Sequence, residues 1–252
     1  MFRPRVIPIL LLKGQGIVKT VKFDKCRYIG DPINAVRIFN DLEVDELVFL
    51  DILASKENRT ISVDIVKQIG DEAFMPFAVG GGIKTTKDAI ALIHAGAEKI
   101  ILNTYFVKNP KLVTELANLI GNQSVVVSID VKKKWLGTYQ TFICGGIEKV
   151  SETPIDLAHK AEQLGAGEII INSITHDGMM EGYDLELIRQ ITSAVNIPVI
   201  ACGGAGKLHH LREATDNGAH AVAAGSLFVY HGARNAVLIN YPEKKELINN
   251  FS

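Results

Sequence analysis

The acidic residue best placed for proton transfer in this chain is Asp130. It ends the apolar run at residues 125–129, which is typical of a buried parallel strand. A carboxylate at the end of such a strand is flanked by low-dielectric walls, so it can act as a general acid or base. The other interpretation of the residue is an aspartate that caps the following turn. We take Asp130 as the candidate catalytic residue.

Glycine-rich turns after two other predicted strands could hold anions. Glycine lets backbone amides approach an anion closely, and the helix that follows adds its dipole. The next strand end in each case supplies further amide and hydroxyl donors. The alternative is that these glycines only make tight turns. The predicted phosphate-binding residues are Gly81, Gly82, Asn103 and Thr104 on one side and Gly203, Gly204, Gly225 and Ser226 on the other.

Four more residues are candidates for binding the substrate. Lys19 belongs to the long segment after the first strand and could fold over a phosphate, or it could be an ordinary solvated lysine. Asp51 ends the second predicted strand, and Asp177 with Gly178 follows the sixth. We include all four in the predicted binding site.

Charged residues of alternating sign stand at the starts of four predicted strands. They are Arg5, Glu46, Lys99 and Glu168, near the starts of strands one, two, four and six. Charged side chains that point inward at the starts of the strands must be paired with opposite charges. Taken alone, the four residues favour a salt-bridge cluster that stabilises the fold.

The elements that position these residues alternate between short apolar runs and segments with helical spacing. Eight such cycles predict a single (β/α)8 barrel, because an open doubly wound sheet would carry fewer strands and one dominant glycine-rich turn. The predicted strands are residues 5–11, 45–51, 76–80, 98–103, 123–130, 167–173, 198–202 and 220–225. The predicted helices are residues 33–42, 61–69, 86–95, 111–119, 155–164, 185–193 and 208–217.

An internal repeat supports the barrel. Pro76 and Pro198 precede equivalent glycine pairs, and Gly96 and Gly218 match with the same offset of 122 residues. The chain is therefore predicted to be one domain, residues 1–252, made of two fused half-barrels at about residues 1–122 and 123–252. A β-hairpin insertion is predicted at about residues 132–146, and residues 12–30 are expected to form a long loop.

Composition excludes several classes of protein. The chain has 252 residues, 47% of them hydrophobic, and a formal net charge of −1 with no run of five like charges. This balance argues against disorder and against binding to nucleic acid or to an anionic membrane surface. The first apolar run is too short to span a membrane, so we expect a cytoplasmic protein. Scattered cysteines without CxxC spacing, and histidines without carboxylate company, predict no metal and no cofactor.

Nearly the whole chain resembles the cyclase subunit of imidazole glycerol phosphate synthase, a (β/α)8 barrel of histidine biosynthesis that works with a glutaminase subunit. The motifs that carry the resemblance are residues 45–51, 79–83, 121–130, 165–168, 177–178, 182–186 and 196–206. The resemblance implies that ammonia enters through a charged gate at the bottom of the barrel and attacks a bisphosphate substrate at the top. It assigns the gate to Arg5, Glu46, Lys99 and Glu168, and thereby favours a gate over a purely stabilising cluster.

This sequence differs from the family at one of the two catalytic residues. The family has catalytic aspartates on strands one and five; the second is Asp130, whereas the first is replaced by Leu11. Residues 5–20 resemble a branch of the family associated with acetamidino modification of bacterial surface sugars. The resemblance therefore implies a paralogue that binds a glutaminase at its N-terminal barrel face, takes a phosphorylated small molecule and serves a sugar amidotransferase.

Three functions stay open at this point. The first is an ammonia-accepting, lyase-type subunit in acetamidino-sugar synthesis. The second is a true cyclase of histidine biosynthesis, slowed because leucine exchanges no protons. The third is a non-catalytic scaffold that conducts ammonia. A sugar-phosphate isomerase is disfavoured, because that sister family also uses aspartates at both strand ends and needs no gate.

Overall fold

The structure is a computed structural model that describes residues 3–135, 137–232 and 234–252. The strands are β1 Arg5–Lys13, β2 Gly16–Val21, β3 Asp24–Gly30, β4 Leu47–Asp51, β5 Phe77–Gly80, β6 Lys99–Leu102, β7 Val125–Lys133, β8 Tyr139–Ile143, β9 Glu148–Lys149, β10 Glu168–Ser173, β11 Val199–Cys202, β12 Ala221–Ala224, β13 Tyr230–His231 and β14 Ala236–Val237. The helices are α1 Pro32–Asp41, α2 Val63–Glu72, α3 Thr86–His94, α4 Thr104–Lys108, α5 Lys111–Ile120, α6 Pro154–Gln163, α7 Leu185–Thr192, α8 Leu208–Asp216, α9 Ser226–Val229 and α10 Lys244–Phe251, with a 3-10 turn at Asn122–Ser124.

Eight parallel strands close into a barrel in the order β1, β4, β5, β6, β7, β10, β11 and β12. The pairing of β12 with β1 closes the ring, with Arg5 opposite Ala221. Helices connect successive barrel strands, so the predicted (β/α)8 fold is confirmed. Within the described ranges, none of these helices has the length and apolar character that a membrane span requires.

Apolar side chains fill both faces of the barrel wall, which explains why the strands read as continuous hydrophobic runs. The inner face contributes a compact cluster that includes Ile7, Val48, Val126 and Ile170. A larger cluster packs the outer face against the helices. Burial on both faces fixes the register of each strand, and with it the position of the polar residue at each strand end.

Helix caps define where the loops at the top of the barrel end. The Thr85 side chain accepts the N–H of Asp88 at the start of α3, and Thr153 does the same with Asp156 at α6. Asp184 accepts the N–H of Leu187 at α7. Each cap fixes the residue at which its helix begins, and so sets where the preceding loop ends.

The segment at residues 12–30 forms the long connection between the first barrel strand and α1, and it is folded as strands, which the sequence pattern did not predict. Strand β1 continues to Lys13, the chain turns at Gly14 with φ +63°, and β2 then pairs antiparallel with both β1 and β3. Strand β2 is rich in β-branched residues, which favour an extended strand. After β7, the antiparallel strands β8 and β9 form a second extension above the barrel.

Candidate functional site

A cavity of about 150 Å³ opens at the carboxyl ends of the barrel strands. Barrel enzymes build their active sites on this face. The predicted top-face residues that line it are Leu11, Lys19, Asp51, Gly81, Gly82, Asn103, Thr104, Asp130, Asp177, Gly178, Gly203, Gly204, Gly225 and Ser226. The structure therefore brings residues from both halves of the sequence to one cavity.

Asp130 lies in the wall of this cavity and is only 8% exposed. Its carboxylate accepts the Nδ2–H groups of Asn103 at 3.2 Å and Asn172 at 3.3 Å. Burial raises the pKa of Asp130 to about 7; the Asn172 hydrogen bond opposes this shift, and the charge of Asp177 adds to it. A carboxyl group with a pKa near neutrality can both donate and accept a proton.

The β1 side of the cavity carries no acid. Ile9 and Leu11 line it, and both belong to the apolar cluster inside the barrel. Leu11 is paired with Leu50 on β4 and with Val18 on β2. At the position that the family resemblance gives to a second aspartate, the cavity wall therefore carries Leu11.

The carboxylate of Asp51 is already engaged within the protein. The Arg59 guanidinium donates to it at 2.5 Å, and the backbone amides of Leu53 and Ala54 donate to Oδ1 at 3.0 and 3.1 Å. These bonds hold the loop between β4 and α2 against the strand. Asp51 thus shapes the cavity wall, and its charge is neutralised by Arg59.

Lys19 and Asp177 form a buried ion pair at the cavity. Lys19 Nζ lies 3.6 Å from the carboxylate of Asp177, and the Thr20 hydroxyl donates to the same carboxylate at 3.0 Å. The backbone N–H of Lys22 also bonds the Asp177 carbonyl at 2.9 Å. These contacts join the β2–β3 hairpin to the loop after β10.

The second predicted anion site, near β11 and β12, has close backbone packing and an unused hydroxyl. A Cβ on Gly225 would lie 2.3 Å from Lys19 Nζ, so only glycine lets the lysine approach there. The Ser226 Oγ is buried and has no hydrogen-bond partner among the described residues. A buried hydroxyl without a partner is destabilising unless a ligand or water satisfies it. Ser226 is thus available to donate to an anion.

Several cavity residues were not among the predicted site residues. The structure adds Thr20, Phe23, Ser55, Lys56, Ser128, Gly145, Asn172 and Cys202. Strand-end position was a usable signal for Asn172, whereas Lys56 and Gly145 come from loops whose folding the sequence pattern does not specify. Burial raises the pKa of the Cys202 thiol to about 12, so this residue stays protonated and is no nucleophile.

The opposite end of the barrel carries a closed ring of four charges, Arg5, Glu46, Lys99 and Glu168. Arg5 donates to both glutamates, and Lys99 Nζ contacts Glu46 at 3.0 Å and Glu168 at 2.9 Å. Both carboxylates are largely buried. Because each charge touches two of opposite sign, the ring is neutral as a whole and closes the bottom of the apolar interior.

The described residues contain one group with metal-ligand composition, on the outer helix α8. His209, His210 and Glu213 bring their donor atoms within 4.8 Å of one another. However, His210 Nδ1 accepts the backbone N–H of Gly206, which leaves the proton of the neutral ring on Nε2. The group therefore fits a metal ion poorly, and none of its members lines the cavity.

Comparison with known proteins places these features in a family. Residues 5–234 match the family described as "Histidine biosynthesis protein". The chain belongs to this family. Within it, the chain is 48% identical over 248 residues to the "Putative imidazole glycerol phosphate synthase subunit HisF" of Leptospira interrogans, covering 98% of each chain.

Two further relatives extend the same group. The "Putative imidazole glycerol phosphate synthase subunit hisF2" of Pseudomonas aeruginosa is 46% identical over 248 residues, covering 98% of this chain and 99% of the relative. The "Imidazole glycerol phosphate synthase subunit HisF" of Alkaliphilus metalliredigens is 44% identical over 232 residues, or 92% of each chain. The chain is therefore a full-length match to HisF-like members of the histidine biosynthesis family.

Proposed function

We propose that this protein is the ammonia-accepting, cyclase-type subunit of a glutamine amidotransferase pair, and that its acceptor differs from that of imidazole glycerol phosphate synthase. The proposal is supported by the arrangement of the barrel. A ring of charged residues lies at one end, Asp130 lies at the other, and an apolar interior separates them. Ammonia is small and uncharged, so such an interior can pass it while excluding ammonium and water.

The glutaminase is proposed to dock on the face that carries the Arg5–Glu46–Lys99–Glu168 ring. An ion-pair ring whose members each touch two partners can exchange one contact for another without leaving a buried charge unpaired. A docked partner could open it at small cost. This supports the gate that the family resemblance implies.

Asp130 is the proposed general base at the point where ammonia meets the acceptor. Asn103 and Asn172 hold its carboxylate, and it takes a proton from the attacking nitrogen while the phosphate sites fix the acceptor. Since Leu11 offers no proton, the second transfer must come from the acceptor itself or from water. An acceptor that needs only one protein acid–base group fits this cavity, and acetamidino-sugar synthesis through a separate sugar amidotransferase is the proposed context.

Imidazole glycerol phosphate synthesis itself is the second candidate. The names of the relatives and the presence of both predicted phosphate sites at one cavity support it. Loss of one positioned acid or base costs about 10²–10⁴-fold in rate. On this hypothesis the chain is a slow cyclase.

The test is to purify the chain with its glutaminase and to supply the bisphosphate substrate of the histidine pathway. We expect no turnover by the natural sequence, whereas the slow-cyclase hypothesis predicts measurable turnover that rises by about 10²-fold or more in Leu11→Asp, because the second carboxylate restores an acid–base pair. Leu11→Asn is the matched control: it has the same shape and polarity but exchanges no proton, so we expect no gain.

Two outcomes would contradict the proposal. Turnover of the bisphosphate at an ordinary enzymatic rate by the natural sequence would assign it to histidine biosynthesis. Unchanged output of the sugar pathway in Asp130→Asn, together with loss of output when the glutaminase is removed, would make the barrel a conducting scaffold without chemistry of its own.

A further inference from the structure

We infer that Lys56 is the cation that orients the acceptor, by binding a phosphate monoester at the β5–β6 side of the cavity. This inference rests on the proposed function, since it concerns the acceptor held at the same site. Lys56 lies on the loop between β4 and α2 and lines the cavity together with Ser55 and Gly145.

The ammonium group of Lys56 lies close to the turn after β8. A Cβ on Gly145 would lie 3.0 Å from Lys56 Cε and 3.4 Å from Nζ, so the side chain extends across the loop to the turn after β8. Gly145 has φ +66°, which glycine adopts without strain. The lysine therefore lies at the cavity rim, and the residue is exposed to water.

The loop that carries Lys56 contacts one of the predicted phosphate donors, Thr104. Its neighbour Ser55 has Oγ 3.5 Å from Thr104 Oγ1, and Thr104 in turn accepts the backbone N–H of Cys144 at 3.1 Å. The loop of Lys56, the end of β6 and the turn after β8 therefore meet at one point. The amides of Gly145 and Gly146 make no hydrogen bond to any other part of the chain that the structure describes, and Gly145 lines the cavity.

Most charged groups at or near the cavity have an oppositely charged partner. Asp51 is neutralised by Arg59, and Lys19 is neutralised by Asp177. Lys108, near the same turn, pairs with Glu148 at 2.8 Å. Among the ion pairs of the described residues, Lys56 has no acidic partner, so it is the positive charge left over at the cavity.

The difference in charge between the two sides of the cavity predicts the orientation of a bound acceptor. The β11–β12 side offers neutral donors and a lysine that is already paired, which suits hydroxyls or a singly charged group. The β5–β6 side adds an uncompensated ammonium to neutral donors, which suits the dianion of a phosphate monoester. The acceptor should therefore be held with its terminal phosphate at Lys56 and its less charged end towards Ser226.

Calorimetric titration with inorganic phosphate at pH 8 and low ionic strength tests the inference. We expect Lys56→Met to weaken phosphate binding by about fivefold to twentyfold, as for loss of one charge-assisted contact, and Lys56→Arg to retain most of the affinity. Lys67→Met, an exposed lysine on α2 away from the cavity, is the matched control and should bind phosphate as the natural sequence does.

A second variant separates failure of this inference from failure of the anion site on which the proposed function relies. Thr104→Val removes a hydroxyl from the same anion site without changing charge. If it weakens phosphate binding while Lys56→Met stays within twofold of the natural sequence, the anion site stands and the role of Lys56 is wrong. If the natural sequence binds no phosphate at all, both the anion site and the role of Lys56 are wrong.

Discussion

Asp130 combines two properties that oppose each other. Burial raises its pKa to about 7, which makes it an effective base near neutral pH but also makes its charged form costly. The amide groups of Asn103 and Asn172 offset part of this cost without supplying a counter-charge. A raised pKa at the expense of stability is common where a carboxyl group does chemistry in a dry site, which supports the proposed role of Asp130.

This opposition predicts a pH-dependent stability difference between the natural sequence and Asp130→Asn. The pKa of Asp130 is about 7 when folded and about 3.9 when unfolded, so the folded chain binds the extra proton between these values and stability falls as pH rises through them. Asparagine resembles the neutral acid, so the variant gains relative stability between pH 4 and pH 8, by at most about 4 kcal/mol. Urea unfolding at pH 5 and pH 8.5 measures this.

The same variant separates stability from activity. Loss of the base should lower the rate by about 10²–10⁴-fold and remove the rise in activity through pH 7 that the natural sequence is expected to show. A stability difference that does not change with pH would contradict the raised pKa. An unchanged pH profile of activity would contradict the role of Asp130.

At the scale of elements, the β2–β3 hairpin is fastened to the loop after β10. The polar contacts are those of Lys19, Thr20 and Lys22 with Asp177, and Gly178 packs directly beneath the hairpin. A Cβ on Gly178 would lie 2.4 Å from the Thr20 carbonyl oxygen. The backbone of the hairpin therefore leaves no room for a side chain at position 178.

Gly178→Ala should detach the hairpin. The left-handed backbone at this residue, φ +72°, adds a strain of about 1–2 kcal/mol, and the clash with Thr20 adds to it. Hydrogen exchange of residues 16–30 should accelerate by about tenfold or more. Gly137→Ala is the matched control, because Gly137 has a similar φ of +80° with no atom within 4 Å of the added Cβ. Equal exchange of residues 16–30 in both variants would show that the contact with Gly178 does not hold the hairpin.

Much of the barrel could be predicted from the sequence, because the physics that specifies it is local. Strands buried on both faces must be continuous apolar runs, and a polar residue that ends such a run, such as Asp130, must lie at the barrel mouth. The hairpin at residues 12–30 could not be predicted, because its antiparallel pairing depends on contacts with β1 and with Asp177. The position of Lys56 at the cavity could not be predicted for the same reason, because its loop is positioned by Asp51, Arg59 and the turn after β8.

The molecule as a whole has two differently charged ends joined by an apolar interior. At the bottom, Arg5, Glu46, Lys99 and Glu168 form a ring in which every charge is paired. At the top, neutral donors surround Asp130, and the charges of Lys19 and Asp51 are cancelled by partners. The charges at both ends are thus mostly paired locally, in keeping with the near-zero net charge of the chain, and among the ion pairs of the described residues Lys56 is the cavity lysine without an acidic partner.

Lys99→Met tests whether the ring is a gate or only a brace. It leaves two largely buried glutamates with Arg5 as their single cation, so we expect a loss of about 2–3 kcal/mol in the free energy of unfolding. Lys244→Met is the control, because Lys244 pairs with Glu43 in a fully solvated position and should cost less than about 1 kcal/mol. With the glutaminase bound, the gate predicts that aminated product made from glutamine falls by tenfold or more, whereas product made from added ammonium chloride stays within twofold. If both yields fall together in proportion to stability, the ring only stabilises the barrel, and ammonia reaches Asp130 by another route.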